Sequence, residues 1–197
     1  NGGTGTLTIT GAVTGGSAAG AHGAYNYSTG TITINGNVTG SSAAGAHGVW
    51  NDKTGTLTIT GAVTGGGGSG ARGAVNNGAG TINITGAVTG GSVANVYGAY
   101  NYSTGTINIY TGPVTGGSAA GANGAVNNGT GAITINGTVA ASSTARAHGA
   151  VNNSTGAFTV IGSLIDTELC NSHAGALYWQ PASMAHYHQT PWNGSYN

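Results

Sequence analysis

Apolar and hydroxyl-bearing residues alternate along this chain in a phrase that returns at a fixed interval. In Thr6-Leu7-Thr8-Ile9-Thr10, Leu7 and Ile9 share one face and the threonines the other, the period-two pattern of a half-buried strand. A glycine precedes each copy, at Gly5, Gly30, Gly55, Gly80, Gly105, Gly131 and Gly156. The step is 25 residues, with one step of 26 at an extra residue near Tyr110 and Thr111. After the strand, Gly11 makes a corner and Ala12-Val13-Thr14 forms a second short strand. Small residues over 15–20 turn the chain again, and a third extended segment follows around Ala21-His22-Gly23-Ala24-Tyr25. Three extended segments per unit predict an all-β, single-stranded parallel β-helix (a β-solenoid) of about seven coils, because no unit can bury its apolar face alone.

Superposing the units gives columns. Leu7/Ile32/Leu57/Ile82/Ile107/Ile133/Phe158, Ile9/Ile34/Ile59/Ile84/Ile109/Ile135/Val160 and Val13/Val38/Val63/Val88/Val114/Val139/Leu164 are read as inward, rich in the β-branched residues that strands favour. On the third segment, Ala21/Ala46/Ala71/Val96/Ala122/Ala147 stays small. Strict alternation then puts Tyr25/Trp50/Val75/Tyr100/Val126/Val151 inside as well, although Trp50 would strain a narrow core, so the sequence leaves the direction of this column open. Asn26/Asn51/Asn76/Asn101/Asn127/Asn152 never varies. Its amides can bond from coil to coil, which makes it a structural ladder at a corner. Gly23 and its copies are read as positions with no room for a Cβ.

The repeat spans residues 1–162. Beyond it, residues 163–197 concentrate aromatic residues, among them Tyr178, Trp179, Tyr187 and Trp192. Terminal repeats must cover the end of the core, and aromatic, charge-poor surface suits subunit contacts. This segment is therefore expected to be a cap or an oligomerisation element, with those four residues as interface candidates and a homo-oligomer, preferably a trimer, as the assembly.

Composition narrows the partners. Among 197 residues the chain carries three Lys or Arg and three Asp or Glu, with a formal net charge of zero. Three scattered cations cannot neutralise a phosphate backbone, which argues against nucleic acid. No apolar stretch is long enough to span a bilayer. Cys170 is alone, so no intrachain disulfide is available. The start NGGTG has neither an initiator Met nor a leader pattern, so the chain reads as a fragment, a processed product or the ordered part of something longer.

The units TGTITINGNVTGSSAAGAHG and TGTLTITGAVTGG, with the GAYN and GAVNN segments, resemble the glycine-rich repeats of phage virion fibres and of secreted bacterial adhesins. The likeness covers residues 4–162 and lies in repeat style. It implies a structural protein, extracellular or on a virion surface, whose partners are its own copies, other fibre components or surface carbohydrate.

Several residues could carry chemistry. Glycosidases need two carboxylates about 5–9.5 Å apart, yet Asp52 lies about five coils, roughly 24 Å, from Asp166 and Glu168. No nucleophile elbow or zinc signature is present, and the chain is expected not to be an enzyme and to need no cofactor. His22, His47 and His148 share a column that also holds Arg72, Tyr97 and Asn123, which reads as a tolerant surface position. His186 and His188 flank Tyr187 and would point the same way on a strand. Three such pairs around a trimer axis would offer six nitrogens to a transition metal. HxH pairs of this kind resemble those at trimeric phage fibre tips; an exposed polar strand end is the plainer reading. Finally, Thr6, Thr8, Thr10, Thr31, Thr33, Thr56, Thr58 and Thr60 form a surface array similar to the TxT faces of β-solenoid ice-binding proteins. Asn35, Asn83, Asn108, Tyr110, Ala132, Asn136 and Ala157 interrupt it.

Overall fold

A computed structural model describes residues 1–143, 147–165, 170–171 and 177–180, the last two segments by backbone pairing. Three parallel sheets wind into a β-solenoid with a repeat of about 25 residues, and the described residues contain no helix. The first sheet has eight strands: Thr6–Thr10, Thr31–Asn35, Thr56–Ile59, Thr81–Ile84, Thr106–Ile109, Ile133–Asn136, Phe158–Ile161 and Leu177–Gln180. The second has seven strands of two residues each, from Val13–Thr14 to Leu164–Ile165. The third also has seven, from Ala24–Asn26 to Cys170–Asn171.

Register follows the columns. Leu7 pairs with Ile32, Ile32 with Leu57, and so on to Ile133 with Phe158. Val13, Val38, Val63, Val88, Val114, Val139 and Leu164 do the same in the second sheet. The paired aliphatics form one buried cluster running up the stack. Each fully enclosed Ile or Val adds roughly 1.5–3 kcal/mol by leaving water. In the first coil Leu7 is 43% exposed.

The third sheet enters the core differently from a strict alternation begun at Ala21. The chain bends at Gly23, and the strand that follows sends Ala24 and Asn26 inward and Tyr25 outward. The core therefore receives Ala24, Val49, Ala74, Ala99, Ala125 and Ala150. In the Tyr25/Trp50/Val75/Tyr100/Val126/Val151 column Tyr25 is exposed and Trp50 and Tyr100 are half-buried, whereas Val75, Val126 and Val151 are buried, though outside the main cluster. The bend shifts the phase by one residue, and a one-residue shift exchanges the faces. The Ala46/Ala71/Val96/Ala122/Ala147 column is buried too, but apart from that main cluster.

Two glycine columns fix the turns. A Cβ on Gly23 would lie 2.5 Å from a Val38 methyl and 2.7 Å from the Gly48 carbonyl, so the corner closes only without one. Gly20, Gly45, Gly70 and Gly121 take φ near +70°, and the fourth copy is Asn95 at φ 57°. Asparagine is the residue that best replaces glycine in that region.

Past residue 162 the sheets continue. Leu177 pairs with Phe158 and Asn171 with Asn152, a sequence step of 19 rather than 25. Asp166, Glu168, His186, Tyr187, His188 and Trp192 lie outside the described residues, as do the side chains of Tyr178 and Trp179.

Candidate functional site

The invariant asparagines line the inner edge of the third sheet, each fully buried. Every one donates Nδ2 to the carbonyl four residues on: Asn26 to Gly30 at 2.8 Å, Asn76 to Gly80 at 2.8 Å, Asn152 to Gly156 at 3.0 Å, with the others between 2.8 and 3.1 Å. This bond closes the turn between the third sheet and the next coil. Coil-to-coil amide bonds join Asn51 to Asn76 at 3.3 Å and Asn101 to Asn127 at 3.1 Å. Asn1 occupies the same place one coil earlier and donates to Gly5, a member the column as read from sequence omitted.

The threonines stack in register on the outer face of the first sheet: Thr6, Thr31 and Thr56 in one column, Thr8, Thr33 and Thr58 in the next. Thr10 pairs with Asn35 instead, and Thr60 ends the third copy. Above Thr58 stands Asn83. Its Oδ1 accepts from Asn108 Nδ2 and from the Tyr110 hydroxyl, each at 3.0 Å. The second column thus keeps threonine for three coils before the Asn83–Asn108 amide cluster, while the first continues through Thr81 and Thr106.

The histidine column is a bonded feature rather than a tolerant surface. His22 Nδ1 accepts the backbone N–H of His47 at 3.1 Å, and His47 Nδ1 accepts that of Arg72 at 3.0 Å. Asn123 Oδ1 does the same for His148 at 2.8 Å. At His22, His47 and Asn123 the column supplies a side-chain acceptor to the next coil's N–H, which explains why His and Asn exchange there, while Arg72 and Tyr97 face the aromatic side instead. Acceptance at Nδ1 places the ring proton on Nε2. The two imidazoles stack 5.1 Å apart with planes 2° from parallel. Burial holds the His22 pKa below its usual value. His47 is pushed down to about 3 by burial first, then by His22 and Arg72.

Outward from these histidines, the third sheet carries an aromatic ledge that a core assignment of the Tyr25 column hides. Trp50 meets His22 edge-on at 4.6 Å and His47 at 5.1 Å. Tyr25 lies 5.5 Å from Trp50 and 5.2 Å from Tyr27. Two coils on, Tyr97, Tyr100 and Tyr102 form a second group at 5.4 and 6.0 Å. Between the groups the column holds Val75, and Arg72 lays its guanidinium over Tyr97 at 5.0 Å and Tyr100 at 4.6 Å. These are cation–π contacts, which use the ring faces and not the N–H donors of arginine. Polar groups border the rings: the Tyr25 hydroxyl donates to Asp52 at 3.3 Å, Asn77 Nδ2 donates to Asp52 at 2.8 Å, and Asn128 Nδ2 donates to the Tyr100 hydroxyl at 3.0 Å. Tyr27 and Tyr102 are 52% and 59% exposed.

A signal for the ledge exists in the sequence. Tyr25-Asn26-Tyr27 and Tyr100-Asn101-Tyr102 alternate an invariant amide with a variable ring, and the invariant member is the one that must face in.

No group of three or more His, Cys, Asp or Glu side chains able to hold a metal ion occurs among the described residues, and no helix among them is long and apolar enough to cross a membrane. No protein-family model, curated protein or solved structure matches this chain, so its likeness to fibre and adhesin repeats rests on the repeat itself.

Proposed function

We propose that this chain is a non-enzymatic structural rod, a segment of a surface fibre, with a phage virion as the first assignment and the extracellular or virion surface as its place. The observation that carries this reading is register. From Thr6 to Ile161 the columns of the first sheet stay in phase through every coil, including the one with an extra residue. Backbone donors and acceptors are thereby spent inside the stack, which stiffens it and denies proteases an extended segment. Near-zero charge suits a subunit held in an assembly better than one that depends on charge repulsion to stay dispersed.

The test is mass measurement by sedimentation on the full chain and on a version ending at Gln180, the last residue of the first sheet. An oligomer, preferably a trimer, that dissociates on truncation supports a fibre with its contacts in the tail. An oligomer that survives truncation moves the interface onto the coils. Two monomers at high concentration refute the fibre reading. A second reading, a secreted adhesin that binds carbohydrate, is favoured by the aromatic ledge on the third sheet.

A further inference from the structure

We propose that the ledge on the outer face of the third sheet is a binding site for an anionic saccharide, in which Tyr25 and Trp50 on one side and Tyr100 and Tyr102 on the other stack against sugar rings while Arg72 pairs with a carboxylate or sulfate. This deepens the adhesin reading by naming the place and the ligand class; the rod reading stands without it.

Three observations carry it. First, rings and hydrogen-bonding groups interleave. Sugars present flat C–H faces edged by hydroxyls, so they need both kinds of surface at once. Trp50 and Tyr100 belong to coils two apart, roughly 9.6 Å along the stack, with the smaller Val75 column position between them. Asp52, Asn77 and Asn128 stand beside the rings, held by hydrogen bonds to them or to each other.

Second, Arg72 puts a positive charge at the Tyr97 and Tyr100 end of the ledge, while the Asp52 carboxylate is taken up by the Tyr25 hydroxyl and Asn77. Among the described residues Arg72 has no carboxylate within ion-pair distance. Its Nε is enclosed without a hydrogen-bond partner, whereas the Nη nitrogens are not enclosed in this way. A guanidinium held over Tyr97 at 5.0 Å and Tyr100 at 4.6 Å offers N–H donors of the kind that recognise carboxylate or sulfate oxygens.

Third, size argues against a second copy of the chain as the occupant. Four coils at ~4.8 Å and a three-residue strand at ~3.3 Å per residue give a face of roughly 190 Å². A stable protein interface takes about 800 Å² from each partner. A projected face of that size suits a short sugar chain, and by itself it falls well short of what a subunit contact needs.

The experiment is isothermal titration calorimetry of the full chain with a panel of short oligosaccharides: uronates, their neutral methyl esters, sulfated galactans and neutral cello-oligosaccharides. At least one anionic member is expected to bind tighter than about 1 mM, and binding should weaken as salt rises. Arg72→Gln should cost tenfold or more for that ligand and leave neutral sugars unchanged. Tyr102→Ala should weaken anionic and neutral sugars alike. Far-UV circular dichroism of each variant confirms that the solenoid is intact. Uronate and sulfate arms separate the two sources of the anion. Absence of binding tighter than about 1 mM by any anionic member overturns the proposal, as does undiminished affinity in Arg72→Gln. If either variant instead dissociates an oligomer in sedimentation, the ledge is a self-interface and the saccharide assignment fails.

Discussion

Truncating the asparagine ladder one member at a time should give graded losses, because its members make different numbers of bonds. Asn76 makes three: Nδ2 to Gly80 O at 2.8 Å, Nδ2 to Thr106 O at 3.2 Å, and Oδ1 from Asn51 at 3.3 Å. Asn101 makes two, to Gly105 O at 3.1 Å and to Asn127 at 3.1 Å. Asn26 makes one, to Gly30 O at 2.8 Å. Replacement by Ala leaves some former partners satisfied: Gly80 O still accepts the Thr106 N–H at 3.0 Å, and Asn51 Nδ2 still reaches Gly55 O at 2.9 Å. Each lost bond whose partner stays satisfied then costs its net value, about 1 kcal/mol, whereas Asn101→Ala also leaves the buried Asn127 Oδ1 without its donor. The expected losses are about 3 kcal/mol for Asn76→Ala, at least about 2 for Asn101→Ala and about 1 for Asn26→Ala. Urea unfolding followed by far-UV circular dichroism measures them, and an unchanged m-value shows that the same structure is being lost. Equal losses at all three positions would refute the bond-by-bond account and leave side-chain volume as the cause.

Three further outcomes are expected. Ile84→Asp, at a fully enclosed position, should abolish the fold through several kcal/mol of charge burial, while Thr85→Asp, exposed and one residue on, should leave the circular dichroism unchanged; equal tolerance would overturn the register. Below pH 6.5 the unfolded chain protonates His47 while the folded chain, held neutral down to about 3, does not, so stability should fall with pH across that window by at most about 5 kcal/mol. His47→Asn supplies the same acceptor that Asn123 supplies to His148 and should flatten the profile between pH 4 and 7; an unaltered profile would place the pH dependence elsewhere. The parent should show no thermal hysteresis, because Asn83 and Asn108 interrupt the second threonine column after three coils, and a clear signal would reinstate an ice-facing surface.

The coil architecture was legible because alternation and period act locally and repeat. Leu7, Ile9 and Val13 each recur often enough to settle their direction. The third segment was not legible in the same way, since its phase depends on a bend at Gly23 imposed by the neighbouring coil: the Val38 methyl and the Gly48 carbonyl leave no room there. That displacement sends Tyr25 and Trp50 away from the main core, while Val75, Val126 and Val151 of the same column stay buried outside it. The histidine column was misread for a related reason. At the histidines its role lies between coils, His22 to the backbone of residue 47 and His47 to the backbone of residue 72, a role that the sequence hides because Arg72 and Tyr97 in the same column do not share it.

The extra residue at Tyr110 and Thr111 sits at the corner between the first and second sheets. The Tyr110 N–H still reaches Ile84 O, and Val114 still pairs with Val88. The chain grew there by one residue and no pairing on either side moved. Contour length and phase are therefore independent at this corner: the sheets count coils, not residues. A short foreign peptide placed between Tyr110 and Thr111 should be carried on the outside of the stack as a displayed loop, which makes the corner a natural point for grafting and for divergence between copies.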